Sequence, residues 1–137
     1  MEIQVGAHGE ASALVSREMS AKEVGSGSLL VLGTPWMVAV MERAACNCLG
    51  PFLEEGKSTV GAMLQITHDK PTPVGMEIHA EAEVTAVSYT HLDVYKRQTM
   101  LRCPACGPLW SSAVRQSGHI MEKSRPGTTG WRFQNFS

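Results

Sequence analysis

Hydrophobic and polar residues alternate along three stretches of the chain and follow a helical period along a fourth. Residues 76–86 alternate most regularly, with Met76, Ile78, Ala80, Ala82, Val84 and Ala86 on one face and Glu77, His79, Glu81, Glu83 and Thr85 on the other. Strict alternation is typical of a strand with one face in the core and the other in water. This stretch is therefore predicted to be a half-buried strand.

Two further strands are predicted from weaker patterns. In residues 59–68, one face carries Val60, Ala62, Leu64, Ile66 and His68, and the other carries Gly61, Met63, Gln65 and Thr67. Residues 9–15 alternate less regularly and are predicted to form the first strand. The polar stretch 16–28 contains two glycines and is predicted to be a loop.

Residues 34–49 follow the helical period and carry clear signals at both ends. Thr34 is a favourable N-cap residue, and Pro35 suits the first helical position, where no N–H is needed. The Gly50-Pro51 pair is typical of the end of a helix. The sequence therefore predicts a long helix that begins at Thr34 and ends at Leu49.

One acid, Glu42, interrupts this otherwise apolar helix. Its neighbours at helical spacing are largely apolar, namely Val38, Ala39, Ala45 and Cys46. Burial of a carboxylate disfavours its charged form, which suits the group to proton transfer or nucleophilic attack. Two alternatives stay open: Glu42 pairs with Arg43, or it lies at the edge of the apolar face.

Length and composition limit the class of protein. The chain has 137 residues, 43% of them hydrophobic, and a formal net charge of −1. This size suits one small domain with a single core. The chain shows no apolar run of membrane-spanning length, no leader pattern, and no disulfide-scaffold pattern in its four cysteines. We therefore expect a cytoplasmic protein without a membrane partner.

The charge is unevenly distributed along the chain. Residues 1–87 carry eleven acidic and five basic residues, whereas residues 88–137 carry two acidic and seven basic ones. The regular alternation is lost at the same point. The basic residues form no run and line no predicted helix, so we expect no nucleic-acid partner.

Three blocks of sequence carry a family resemblance. They are Gly33-Thr-Pro-Trp-Met-Val-Ala-Val-Met-Glu-Arg-Ala-Ala-Cys46, Ser58-Thr-Val-Gly61, and Ile66-Thr-His68 followed by Thr72-Pro-Val-Gly-Met76. With these blocks in this order, residues 5–87 resemble the fluoroacetyl-coenzyme A thioesterase family of small acyl-CoA hydrolases. The resemblance implies an α+β hot-dog fold, in which an antiparallel sheet wraps around a central helix.

The resemblance also implies a set of site residues. Thr34, Glu42 and His68 match the family's catalytic positions, and Gly61 matches a glycine near the acyl group. Glu42 would attack the thioester carbonyl or activate water, His68 would transfer protons, and Thr34 would orient or assist them. Trp36 is expected to narrow the acyl pocket, which would favour short substrates. The implied partner is an acyl-CoA, and no cofactor or metal is expected.

Each of these residues also has a structural explanation. Thr34 is accounted for as an N-cap, and a histidine at the end of a strand is often a surface or capping residue. Gly61 can mark a bulge or close packing against the helix. The joint match in spacing favours the functional interpretation.

The end of the chain departs from the resemblance. Residues 88–98 do not resemble family sequence and look like a translated adapter artefact of metagenomic assemblies. We therefore expect a partial hot-dog domain in residues 1–87, truncated after its third strand, and an irregular tail in residues 88–137. An incomplete sheet leaves backbone groups unpaired and predicts poor folding.

Three functional hypotheses follow. The first is a short-chain acyl-CoA thioesterase that acts as a homodimer, because hot-dog folds usually build their site between subunits. The second is a non-catalytic acyl-CoA binding module on the same fold. The third is a zinc module formed by His91, Cys103, Cys106 and His119, for which chance spacing is the better explanation.

Overall fold

The computed structural model describes residues 3–68, 71–87, 92–101, 111–123 and 131–133, with the side chains described for residues 3–68, except Ala62, and for 71–87. In chain order the strands are β1 (His8–Leu14), β2 (Lys57–Ile66), β3 (Glu77–Val87), β4 (Leu92–Leu101), β5 (Ser111–Lys123) and β6 (Trp131–Phe133). The α-helices are α1 (Ala21–Val24) and α2 (Thr34–Leu49), and 3₁₀ turns span Arg17–Met19 and Gly50–Phe52. The predicted loop 16–28 therefore contains two short helical segments.

Within the described part of the chain, the strands form one six-stranded antiparallel sheet. Its order is β1-β3-β4-β5-β2, and β6 pairs with β5 through Met121–Lys123. The division of the chain into a partial domain of residues 1–87 and a tail of residues 88–137 stays a prediction. In the described residues, β4 and β5 lie past the predicted point of truncation and pair between β3 and β2. Strand pairing uses backbone N–H and C=O groups that every residue except proline supplies, so an irregular side-chain pattern does not prevent it.

The helix α2 packs against β1 and β3, and the core lies between them. The buried side chains of the helix are Met37, Val40, Met41, Ala44, Ala45, Cys48 and Leu49. On β3, Ile78, Ala80, Ala82 and Val84 are buried while the residues between them are more exposed, which confirms the predicted faces as far as Val84. Ala86 was predicted on the core face and is exposed, because a register shift between Val84 and Ala86 interrupts the alternation. Alternation on one strand thus identifies the surface on which the helix lies.

Gly9 sets the closeness of this packing. A Cβ atom built at Gly9 would lie 2.5 Å from the carbonyl oxygen of Ala44 and closer still to the backbone of Cys48. Real Cβ contacts are longer, so the helix backbone rests directly on β1 at this position. Only glycine permits so close an approach of helix and strand.

A register shift in β2 changes the faces that its sequence predicts. Gly61 pairs with Gly118 on β5, but Met63 pairs with Ser117, so β2 holds one extra residue at this point. Because directly paired residues share a face, Gly61 lies on the same face of the sheet as Leu64 and Ile66. The prediction that Gly61 faces away from them is wrong, since one extra residue reverses the alternation.

The strand β2 lies at one edge of the sheet and exposes apolar side chains. The exposed fractions are 42% for Val60, 60% for Met63, 42% for Leu64 and 37% for Ile66. Such an edge is a template for pairing with another chain. In the described ranges, no helix has the length and apolar character needed to cross a membrane.

Candidate active site

The start of α2 holds the first predicted site residue. The N-cap is Gly33, in an extended conformation, and Thr34 is the first helical residue with no side-chain capping bond. The predicted N-cap role of Thr34 is therefore wrong by one position. Its hydroxyl instead forms a 2.8 Å hydrogen bond with Nδ1 of His68. The tautomer of the imidazole decides which group donates.

The backbone around these two residues explains why they meet. The N–H of Leu32 donates to the carbonyl of Thr72 at 2.7 Å, and an isolated bridge joins Val31 to Pro73. These contacts hold the segment that enters α2 against the loop that follows β2. His68 comes just after β2 and Thr34 just after Leu32, so the two side chains meet where the segments are tied together.

Thr72 lies where the two segments meet, and the sequence indicated no individual role for it. It is fully buried, and its carbonyl is one of the groups that align the two segments. Its Oγ1 atom is buried as well and has no hydrogen-bond partner among the residues whose side chains are described. The only signal in the sequence was its place in the Thr72-Pro-Val-Gly75 block.

Glu42 lies eight residues beyond Thr34 on α2, about 12 Å along the helix axis at 1.5 Å per residue. It is half-buried, next to the buried face that contains Met41 and Ala45. This matches the alternative in which Glu42 lies at the edge of the apolar face. The structure thus brings Thr34 and His68 into contact and places Glu42 on the same helix, outside that hydrogen bond.

Of the two residues predicted to contact the substrate, Trp36 lies on the helix and Gly61 lies on the sheet. Trp36 is half-buried and packs against the core from the first turn of α2. Gly61 lies on the helix side of the sheet. This follows from the register of β2 with β5 and of β5 with β4. Their contact with a substrate stays a prediction.

The chemistry of the group is that of acid–base and nucleophilic catalysis. An imidazole transfers protons near neutral pH, and a bonded hydroxyl fixes the orientation of its ring. A carboxylate can attack a carbonyl or activate water. The N-terminus of α2 carries partial positive charge, which stabilises an oxyanion formed beside it.

The alternative zinc module cannot be placed. His91, Cys103 and Cys106 lie outside the described residues, and His119 belongs to β5, of which the backbone alone is described. Cys46 and Cys48 are free thiols, the first exposed and the second buried. Cys48 is 1% exposed and packs in the core.

The architecture defines the class of protein. An antiparallel sheet that packs on one long helix is the hot-dog fold, and solved structures of hot-dog thioesterases share it. The fluoroacetyl-CoA thioesterase FlK superposes with a TM-score of 0.74 at 20% identity, over 89% of this chain and 90% of that chain. A thioesterase superfamily member from Thermus thermophilus gives a TM-score of 0.74 at 24% identity, over 89% and 86%.

Sequence comparison identifies the family within this class. The model of the fluoroacetyl-CoA-specific thioesterase family matches residues 15–96, so the chain belongs to that family. The fluoroacetyl-CoA thioesterase of Streptantibioticus cattleyicolor is 35% identical over 57 residues. That match spans 42% of this chain and 41% of the relative's length.

Proposed function

We propose that this protein hydrolyses a short acyl-CoA thioester to the free acid and coenzyme A. The hydrogen bond between Thr34 and His68 carries the proposal, because it joins two of the three residues that the family resemblance implies are catalytic. A structure of the fluoroacetyl-CoA-specific thioesterase contains fluoroacetate and CoA. The acyl-CoA class of substrate is transferred to this chain on that family relationship.

In the proposed reaction, His68 moves the protons. The Thr34 hydroxyl at Nδ1 holds the ring, and Nε2 would serve the reacting groups. When the C–S bond breaks, the imidazolium donates a proton to the departing thiolate of coenzyme A. The acyl carbon gains one oxygen from water overall, and the products are a carboxylic acid and a thiol.

Glu42 supplies the attack on the carbonyl by one of two routes. In the nucleophilic route, its carboxylate forms a mixed anhydride with the acyl group and releases coenzyme A, and water then cleaves the anhydride. In the general-base route, it removes a proton from the attacking water directly. Single-turnover hydrolysis in ¹⁸O-labelled water tests for the anhydride: water that attacks its glutamate carbonyl leaves ¹⁸O in Glu42 and a glutamate oxygen in the product, whereas the general-base route labels the acid and never Glu42. Capture of the acyl group by hydroxylamine before water attacks detects an anhydride that water opens at the acyl carbon.

The substrate is proposed to carry a short acyl chain. Trp36, two residues after Thr34 in the first turn of α2, is half-buried and packs against the core beside the helix start. Its replacement by alanine should shift the preference toward longer acyl chains. Comparison of kcat/KM for acetyl-CoA and octanoyl-CoA in the two proteins measures this shift.

The enzyme is proposed to act as a homodimer that pairs through β2. The strand ends the sheet and exposes Val60, Met63, Leu64 and Ile66, whose burial would offset the loss of freedom on association. A second copy that adds its own β2 in antiparallel fashion satisfies the free edge of both chains. Because both copies contribute the same strand, the favoured assembly is an isologous dimer.

The test of the catalytic proposal uses paired variants of the full chain. Glu42→Gln and His68→Ala should each reduce kcat for acetyl-CoA by about 10² to 10⁴, the range of general acid–base catalysis. Thr34→Ser should keep most of the activity and Thr34→Ala should lose much of it. Glu55→Gln, at an exposed carboxylate outside the site, is the matched control.

Two results would contradict the proposal. Retained activity in both Glu42→Gln and His68→Ala would exclude these residues from catalysis. Saturable acyl-CoA binding by the wild-type protein with no turnover would identify a binding module instead, and Glu42→Gln would then leave the Kd unchanged.

A further inference from the structure

The face of the sheet away from the core holds a second group of chemically active side chains. Glu10 on β1 pairs in register with Glu81 on β3, and Ser12 pairs with His79. The alternate residues of β3 are buried beneath the helix, so these four side chains lie on the outer surface. The group is therefore separate from Thr34, Glu42 and His68.

The distances within this group suit a shared ligand. Nε2 of His79 lies 3.7 Å from Oε2 of Glu10 and 3.9 Å from Oε1 of Glu81. One ligand atom from each of the three residues lies within 4.8 Å of the others. Ligands at 2.0–2.2 Å from a tetrahedral zinc ion are about 3.4 Å apart, so a small inward movement of exposed carboxylates would complete the geometry.

Ser12 adds an independent constraint on the imidazole. Its Oγ atom is 2.8 Å from Nδ1 of His79, and the histidine side chain is only 16% exposed. This bond holds the ring with Nε2 toward both carboxylates. Histidine ligands of metals in proteins usually make such a bond through their second nitrogen, which fixes the ring and the tautomer.

The two carboxylates also lie opposite each other on neighbouring strands, an arrangement in which acidic residues repel each other. His79 is two residues before Glu81 on β3 and diagonal to Glu10 on β1. A divalent cation bound by all three side chains would offset this repulsion.

We propose that Glu10, His79 and Glu81 bind a divalent transition-metal ion of the zinc type. One imidazole nitrogen and two carboxylate oxygens provide three ligands, and water completes the coordination. The ion would tie β1, an edge strand, to β3. Its role is structural, because it lies on the opposite face of the sheet from the proposed catalytic group.

Arg97 identifies the main competitor for this site. Its backbone occupies the register position opposite Glu81 on β4. An arginine that already pairs with Glu81 would weaken metal binding. Arg97→Gln should therefore tighten the affinity for zinc.

The test is a titration of the metal-free full-length protein with Zn²⁺ by calorimetry and with Co²⁺ by absorption. We expect one ion per chain, with affinity reduced tenfold or more in His79→Ala and in Glu81→Gln. Ser12→Ala, which removes the group that orients the ring, should weaken binding about 10-fold to 100-fold. Zinc should raise the melting temperature of the wild type and leave that of His79→Ala unchanged.

His8→Ala is the matched control, because His8 is an exposed histidine on the same face whose Nε2 lies 4.0 Å from a single carboxylate, that of Glu83. It should leave the affinity unchanged. Binding that survives His79→Ala would overturn the proposal, as would the absence of saturable binding. A cobalt spectrum dominated by thiolate charge transfer would assign the ion to cysteines and would also overturn it.

Discussion

The two halves of the sheet carry apolar side chains of similar kind but bury them very differently. On β3, Ile78 and Val84 are fully buried beneath α2. On β2, Leu64 is 42% exposed and Ile66 is 37% exposed. The helix covers β1 and β3 and leaves the apolar residues of β2 on the surface of the chain. An apolar pattern therefore identifies a strand and its faces but does not say what will cover them.

The two halves of the sheet should differ most in the stability lost when one isoleucine of each half is replaced by alanine. Ile78→Ala leaves a cavity beneath the helix and should cost about 2–5 kcal/mol of unfolding free energy. Ile66→Ala removes a partly exposed side chain and should cost less than about 1 kcal/mol in the monomer. Urea denaturation at low protein concentration measures both, and equal costs would show that both halves are buried alike.

A second comparison tests the close contact of helix and strand. Gly9→Ala places a Cβ inside the backbone of α2, so the helix must move, at a cost of about 2–3 kcal/mol. Gly50→Ala is the control, because its backbone is helical and its Cβ meets nothing within 4 Å. That variant should be neutral or slightly stabilising. A neutral Gly9→Ala would mean that the helix lies further from β1.

The exposed edge offers a third test. Met63→Lys introduces a charge into the proposed dimer interface and should weaken dimerisation tenfold or more, which corresponds to about 1.4 kcal/mol. Leu14→Lys alters an apolar residue that is 66% exposed on the opposite edge strand and should leave the dimer intact. Sedimentation or light scattering across a dilution series measures both. Dissociation by Leu14→Lys alone would move the interface to β1.

The smallest expected effect is on the pH dependence of stability, through a buried thiol on the helix. Burial, followed by the negative charge of Glu83, raises the pKa of Cys48. A raised pKa in the folded state stabilises the protein below the unfolded thiol pKa of about 8.5, and this contribution is lost as pH rises further. Wild type should therefore lose more stability than Cys48→Ala between about pH 8 and 10. Parallel curves would mean that the thiol is not desolvated.

The sequence predicted the helix-covered half of the molecule well. The span of α2 from Thr34 to Leu49 is confirmed, because the proline near its start and the glycine after its end are local signals. The two faces of β3 are confirmed as far as Val84, because alternation with a period of two reports burial until the register shift before Ala86. The family was recognised from three short blocks and is confirmed by the match over residues 15–96.

The edge half was predicted less well, for physical reasons. Gly61 indicated a possible bulge, and the register shift between Gly61 and Met63 agrees with that alternative. The reversal of the faces could not be predicted, because a bulge is defined by the pairing with β5. The strands β4 and β5 were missed because their side-chain pattern is irregular, while backbone pairing does not depend on it. The metagenomic origin inferred for residues 88–98 stays a prediction.

The sequence by itself determined where the helix begins and ends, which face of β3 is buried, and which family the chain belongs to. Each follows from residues close together in the chain, whose spacing is set by the period of the helix or strand. Tertiary structure alone decided that the Thr34 hydroxyl bonds His68 instead of capping the helix, and that Glu10 lies opposite Glu81. Thr34 and His68 are separated by 34 positions in the chain, and Glu10 and Glu81 by 71 positions. Only strand register and loop anchoring bring such distant positions together.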